Sequence, residues 1–192
     1  MEQIMRKALA GGLGVLTAVA ALAIADEAWA AVTVIGGGLA EACSKAALGG
    51  ERELEFEKLC TRALEEELLS PRDRAGTYVN RGVMKLRRAG WDGAVKDFDT
   101  AVRIQPDLGE AYVNRGAAAI GARRYAESLP DINRGLELGV QEPAKAYYNR
   151  ALAYEGLEDA KSAYFDYQKA LELNPEWELP RQQLTRFTVS RR

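Results

Sequence analysis

The chain of 192 residues contains no histidine and only two cysteines, Cys43 and Cys60. The missing imidazole removes the usual neutral-pH acid–base group and the commonest metal ligand. Histidine-based triads are excluded, and two thiols are too few for an ordinary zinc site, so no metal and no cofactor is expected. An excess of one charge is also lacking, because 26 basic residues meet 28 acidic ones for a net charge of −2. A general nucleic-acid binder carries a basic stripe, so no nucleic-acid partner is expected. No side-chain pair reads as nucleophile and base, and the chain is expected to be non-enzymatic. Hydrophobic residues make up 47% and charged residues 28%, a balance that folds.

The one long apolar run lies at the start. Arg6 and Lys7 precede an Ala-, Gly-, Leu- and Val-rich stretch over 8–25, followed by Asp26-Glu27-Ala28-Trp29-Ala30. A charged beginning, an apolar middle and an Ala-x-Ala end describe a cleavable export signal. The expectation is a signal peptide over 1–30, cut after Ala30, and a periplasmic or secreted product with no membrane insertion after cleavage. An uncleaved anchor is the alternative, since 18 residues can just span a bilayer. No cysteine follows the apolar run, which argues against a lipid anchor.

Val32-Thr33-Val34-Ile35-Gly36-Gly37-Gly38 looks like the strand and glycine turn of a dinucleotide-binding unit. The third glycine of that pattern is replaced by Glu41, and no second strand follows. Residues 31–38 are therefore read as a flexible linker into a helix.

A repeat dominates what remains. Tyr78-Val-Asn-Arg-Gly82 recurs as Tyr112-Val-Asn-Arg-Gly116 and as Tyr147-Tyr-Asn-Arg-Ala151, at steps of 34 and 35 residues. Such a period marks a solenoid of helix pairs. Around these segments stand Trp91, Ala94, Phe98, Ala101 and Pro106, then Tyr125, Ser128, Ile132 and Gly135, then Tyr154, Ala163, Tyr167, Ala170 and Pro175. The pattern resembles the tetratricopeptide repeat (TPR) family. The resemblance implies an all-α fold, a right-handed superhelical α-solenoid of antiparallel helix pairs. Three repeats cover 75–108, 109–142 and 144–177. A degenerate capping pair is placed over 39–74, with helices at 39–48 and 52–69, and a last helix and basic tail over 178–192. Pro130 falls inside the second helix of repeat two and is expected to delay or bend it.

Three sets of residues stand out. Cys43 and Cys60 flank the turn of the capping pair, and an exported chain favours a structural disulfide between them. A redox pair, a metal site or two buried thiols are the alternatives. Arg81 and Asp97, Arg115 and Asp131, and Arg150 and Asp166 are each 16 residues apart across a turn, the spacing of a repeated ion pair. Asn80, Asn114 and Asn149 recur beside those arginines. In the family this position faces the concave groove and can bond a peptide backbone, which an amide does by donating and accepting at once; the alternative is an Asn that caps or bonds the adjacent helix. The resemblance places Val83, Leu86, Ile120, Lys145 and Tyr148 beside them. Val79, Val83 and Asn149 stand where some members carry a cationic carboxylate clamp, so no such clamp is expected. The implied function is a protein- or peptide-binding adaptor or assembly factor in the cell envelope. The alternative is a structural subunit that works through its convex face or ends. Oligomeric state stays open.

Overall fold

The computed structural model describes residues 2–7, 28–35 and 37–191. The apolar stretch over 8–25 on which the signal reading rests lies outside the described residues.

The described chain is an all-α helical repeat. In order it forms α1 (Leu39–Leu48), α2 (Leu54–Glu66), α3 (Pro71–Arg87), α4 (Trp91–Ile104), α5 (Gly109–Gly121), α6 (Tyr125–Leu138), α7 (Pro143–Gly156), α8 (Ala160–Leu173) and α9 (Glu178–Leu184). Two short strands, β1 (Glu2–Arg6) and β2 (Phe187–Arg191), pair antiparallel with Ile4 opposite Val189. The helices pack as hairpins α1–α2, α3–α4, α5–α6 and α7–α8, each stacked on the next.

Small residues set the packing distance inside each hairpin. A Cβ on Gly82 would collide with the Phe98 ring, and one on Gly116 with Ile132. Phe98, Ile132 and Tyr167 are fully buried in one continuous core through the three repeats. The three hairpins also share one turn. Ala89, Arg123 and Glu158 each adopt a left-handed conformation, with φ of 56°, 60° and 63°. The next amide in each case bonds back into the helix end: Gly90 N to Lys85 O (2.8 Å), Arg124 N to Ala119 O (2.8 Å) and Asp159 N to Tyr154 O (2.9 Å). These bonds occupy carbonyls that a helix end otherwise leaves free.

Several boundaries differ from the sequence reading. The capping pair stops short of residue 74: Ser70 caps α3 by accepting from Asp73 N, and Pro71 opens that helix, where its missing N–H costs nothing. The second capping helix is Leu54–Glu66 rather than 52–69. Pro130 does not delay α6, which starts at Tyr125 and runs through it. The stretch expected as a basic tail is partly a strand, because residues 187–191 form β2 and Phe187 is buried. Residues 31–34 of the expected linker are not loose either, because Asn80 and Ser44 bond the backbone of Val32 and Val34. Glu67 accepts from Leu39 N (2.5 Å) and Ala40 N (3.0 Å), so the start of α1, where a nucleotide phosphate would sit, is held by the chain's own carboxylate.

Candidate peptide-binding groove

Asn80 on α3, Asn114 on α5 and Asn149 on α7 are fully buried, and all three face one extended segment of the same chain, residues 28–34. Asn114 donates to Ala30 O (2.7 Å) and accepts from Ala30 N (3.1 Å). Asn80 does the same to Val32, at 2.8 Å for both bonds. Asn149 donates to Ala28 O (2.9 Å), while its Oδ1 has no partner among the described residues. The segment therefore advances two residues per repeat, from repeat three toward the cap. In an extended strand alternate residues share one face, which gives the asparagines this register.

The cap continues the same pattern. Ser44 Oγ on α1 accepts from Val34 N (3.1 Å) and donates to Val32 O (2.9 Å). Lys145 Nζ donates to Trp29 O (3.1 Å) and pairs with Glu142. Ala28, Ala30, Val32 and Val34 are all buried, while Thr33 is exposed. Val32 and Val34 lie over Gly76 of α3, where a Cβ would approach them to 3.0 and 3.2 Å. Gly76 thus lets the segment lie flat on the helix.

The apolar residues expected in the groove are all covered. Val83, Leu86 and Ile120 are buried in the same cluster as Ala28, Trp29 and Val32. Tyr148 is buried, its ring 5.5 Å from that of Tyr167 and 4.9 Å from that of Trp177. One open cavity of ≈ 600 Å³ adjoins the segment, lined by Trp29, Leu48, Arg87, Lys145, Leu173 and Trp177 among others. Trp29 is buried at its edge, and its Nε1 has no partner among the described residues.

A family model for the tetratricopeptide repeat matches residues 144–176. Solved structures share the fold across the remaining repeats. The crystal structure of MamA gives a TM-score of 0.60 at 18% identity, over 78% of this chain and 82% of that one. The first TPR of Spaghetti (RPAP3), bound to an HSP90 peptide SRMEEVD, gives 0.55 at 23% identity, over 59% and 90%. Residues 144–176 are a tetratricopeptide repeat, and the described repeats share the fold of TPR domains.

Among curated proteins, this TPR chain is 35% identical over 85 residues to the Hsp70-Hsp90 organizing protein of Triticum aestivum, covering 44% of the chain and 14% of that protein. It is 27% identical over 150 residues to a DnaJ homolog subfamily C member 7 homolog of Schizosaccharomyces pombe, covering 76% and 31%. It spans less than a third of the length of either relative.

The arginines of this TPR chain form a regular ladder. Arg81 binds Asp97 through two nitrogens (2.7 and 3.0 Å), Arg115 binds Asp131 (2.7 and 2.8 Å), and Arg150 binds Asp166 (2.7 and 2.8 Å). The remaining nitrogen reaches back to the previous hairpin, at Thr61, Asp99 and Asn133 respectively. Each guanidinium also covers the tyrosine three residues earlier, at 5.3, 5.4 and 5.1 Å from the ring centre. Asp131 and then Asp99 hold the Arg115 proton more tightly than usual, against burial. This is structural use of charge, since an always-protonated guanidinium is no base. Cys43 and Cys60 are joined, with Cα atoms 4.9 Å apart, tying α1 to α2.

One buried site had no sequence signal. Glu155 on α7 has no exposed side-chain surface. It accepts from Tyr167 Oη (2.6 Å), and its Oε1 lies 2.7 Å from Arg6 and 3.1 Å from Arg186. Burial pushes the Glu155 carboxyl above its ordinary range, against the pull of Tyr167 and Arg6. Burial also raises Tyr167 well above a free phenol, with Glu155 reinforcing it. Nothing local could have joined Arg6 to Glu155, because the chain between them spans most of the protein. Among the described residues no cluster of three or more His, Cys, Asp or Glu side chains could hold a metal. No described helix is long and apolar enough to cross a membrane.

Proposed function

We propose that this TPR chain is a non-enzymatic adaptor or assembly factor of the cell envelope that binds an extended segment of a partner protein in its concave groove. The observation that carries the reading is the asparagine stripe. Asn80 and Asn114 each satisfy both the donor and the acceptor of one backbone unit, two residues apart. Such a device reads main chain, and the side chains between the bonds supply selectivity. The peptide complex of the first Spaghetti TPR, which shares this fold, lends the reading precedent. Export rests on the sequence alone: Arg6 and Lys7, the apolar run, and Ala28-Trp29-Ala30. Cleavage after Ala30 would leave Val32 on Asn80 and vacate Asn114 and Asn149.

A structural subunit is the second reading, favoured by the fact that the groove is filled from within. In-cell crosslinking separates the two. Asn114→Ala with Asn149→Ala should abolish the crosslinked partner while the protein stays folded. The partner's affinity should change little between low and high salt, because the bonds are to backbone and the burial is apolar. An undiminished crosslink in the folded double variant would overturn the groove reading and favour contact through the convex face or ends.

A further inference from the structure

We infer that residues 28–34 are a displaceable internal competitor, and that the partner's segment carries the same pattern: small residues at two alternate positions followed by two alternate valine-sized ones, all uncharged. This rests on reading the groove as a peptide site. Three observations point to that pattern. Ala28 and Ala30 have 0% and 3% of their surface exposed, so the subsites at repeats three and two admit little more than a methyl group. Val32 and Val34 sit directly over the backbone of Gly76, where a branched side chain fills the space that no Cβ takes. The residue between the alanines, Trp29, lies beside the ≈ 600 Å³ cavity, so this position takes a large apolar side chain.

The segment also has the marks of something removable. Residues 29–34 form no helix and no strand pairing of their own. The segment's polar hold consists of side chains of the repeats, of Lys145 and of Ser44 on backbone atoms, so any extended chain of the same shape satisfies the same donors and acceptors. At its repeat-three end Asn149 Oδ1 and Trp29 Nε1 have no partner among the described residues. A joined competitor acts at an effective concentration of roughly 1 mM, so a segment with an intrinsic Kd of about 10 μM weakens any competing peptide on the order of 100-fold. Processing after Ala30 would lift the block at Asn114 and Asn149 and leave it at Asn80.

The test uses the full chain. Ala28→Glu with Ala30→Glu places two carboxylates in subsites without room or partners and should free the segment. The probe is a synthetic peptide of residues 27–35, blocked at both ends. It should bind the double variant at least 100-fold more tightly than the parent chain, and a peptide with Glu in place of Ala28 and Ala30 should bind neither. Equal affinity for both chains would overturn the competitor while leaving the groove a peptide site. Binding to neither would overturn both. Amide exchange on the unaltered chain is independent of whether the variant folds. The Ala30 and Val32 amides should be protected in the free chain and in the presence of the Glu-bearing control peptide. An isotope-labelled probe should gain protection at its own equivalent amides as those of the chain lose it. Chain amides that stay protected at saturating peptide would also sink the competitor.

Discussion

At Gly82 the helix hairpin of repeat one has no room for a methyl group, because the Phe98 ring already occupies the place. Alanine is the better helix former by about 1 kcal/mol, so Gly82→Ala sets propensity against packing. Packing should win: the variant should lose about 1–3 kcal/mol, read from the urea midpoint, because Phe98 is fully buried and cannot swing outward. A gain in stability would show that the ring can yield. The ion pairs obey a similar logic. Asp97 has 5% of its side chain exposed and holds both Arg81 and Lys85. Asp97→Ala should cost about 3–5 kcal/mol by stranding two cations. A double-mutant cycle with Arg81→Ala should show coupling of about 1–3 kcal/mol, and strictly additive losses would mean that the recurring 16-residue spacing carries no pairing energy. That spacing was visible in the sequence. The third contact of each arginine was not, because Thr61, Asp99 and Asn133 share neither residue type nor a common step from their arginines.

Among the elements, the repeat helices were legible because their small and aromatic residues recur at 34 or 35 residues. Their turns were not: Ala89, Arg123 and Glu158 take the left-handed conformation with no glycine to announce it, and the geometry is imposed by the hairpins on either side. β2 was hidden for a different reason. Phe187-Thr188-Val189 fits the end of an apolar helix face as well as a strand, and its partner β1 lies at the other end of the chain. Pro130 misled in the opposite direction. It is only the sixth residue of α6, so it removes one hydrogen bond near the helix start without stopping the helix. The capping hairpin α1–α2 depends on its covalent tie. It holds two small cores, one of Cys43, Ala46, Ala47 and Cys60 with Met84 and one of Ala40 and Ala63 with Val34. With the cysteines 17 positions apart in sequence, the bond should contribute about 3 kcal/mol. Cys43→Ser and Cys60→Ser should therefore destabilise alike, and the double variant should lose little more than either. Two free thiols found by alkylating the unfolded, unreduced protein would show that the bond does not form in solution.

At the scale of the whole molecule, both chain ends converge on repeat three. β1 pairs with β2 and packs on α8, while Arg6 and Arg186 converge on Glu155. The asparagine stripe was legible as a period, but its occupant was not: residues 28–34 read as a cleavage site and a linker, and only the assembled solenoid brings them to the groove. Glu155 makes this convergence measurable. Its carboxyl is raised by burial, with Tyr167 and Arg6 offsetting only part of the rise. A carboxyl with a raised folded pKa contributes its stability fully below the ordinary carboxylate value and loses it as pH climbs through the folded one. The unfolded chain ionises first, so the folded state falls behind over that window. Glu155→Gln keeps a neutral, similarly shaped side chain and abolishes the titration. The melting temperature of the parent chain should therefore fall relative to this variant as pH rises from 4 toward neutrality. A chain processed after Ala30 has lost Arg6, the cation 2.7 Å from the carboxylate, so its carboxyl should sit higher still and its decline should extend to higher pH. The opposite slope, with the parent gaining on the variant toward neutral pH, would mean that the two arginines outweigh burial and that the clasp works as an ion pair.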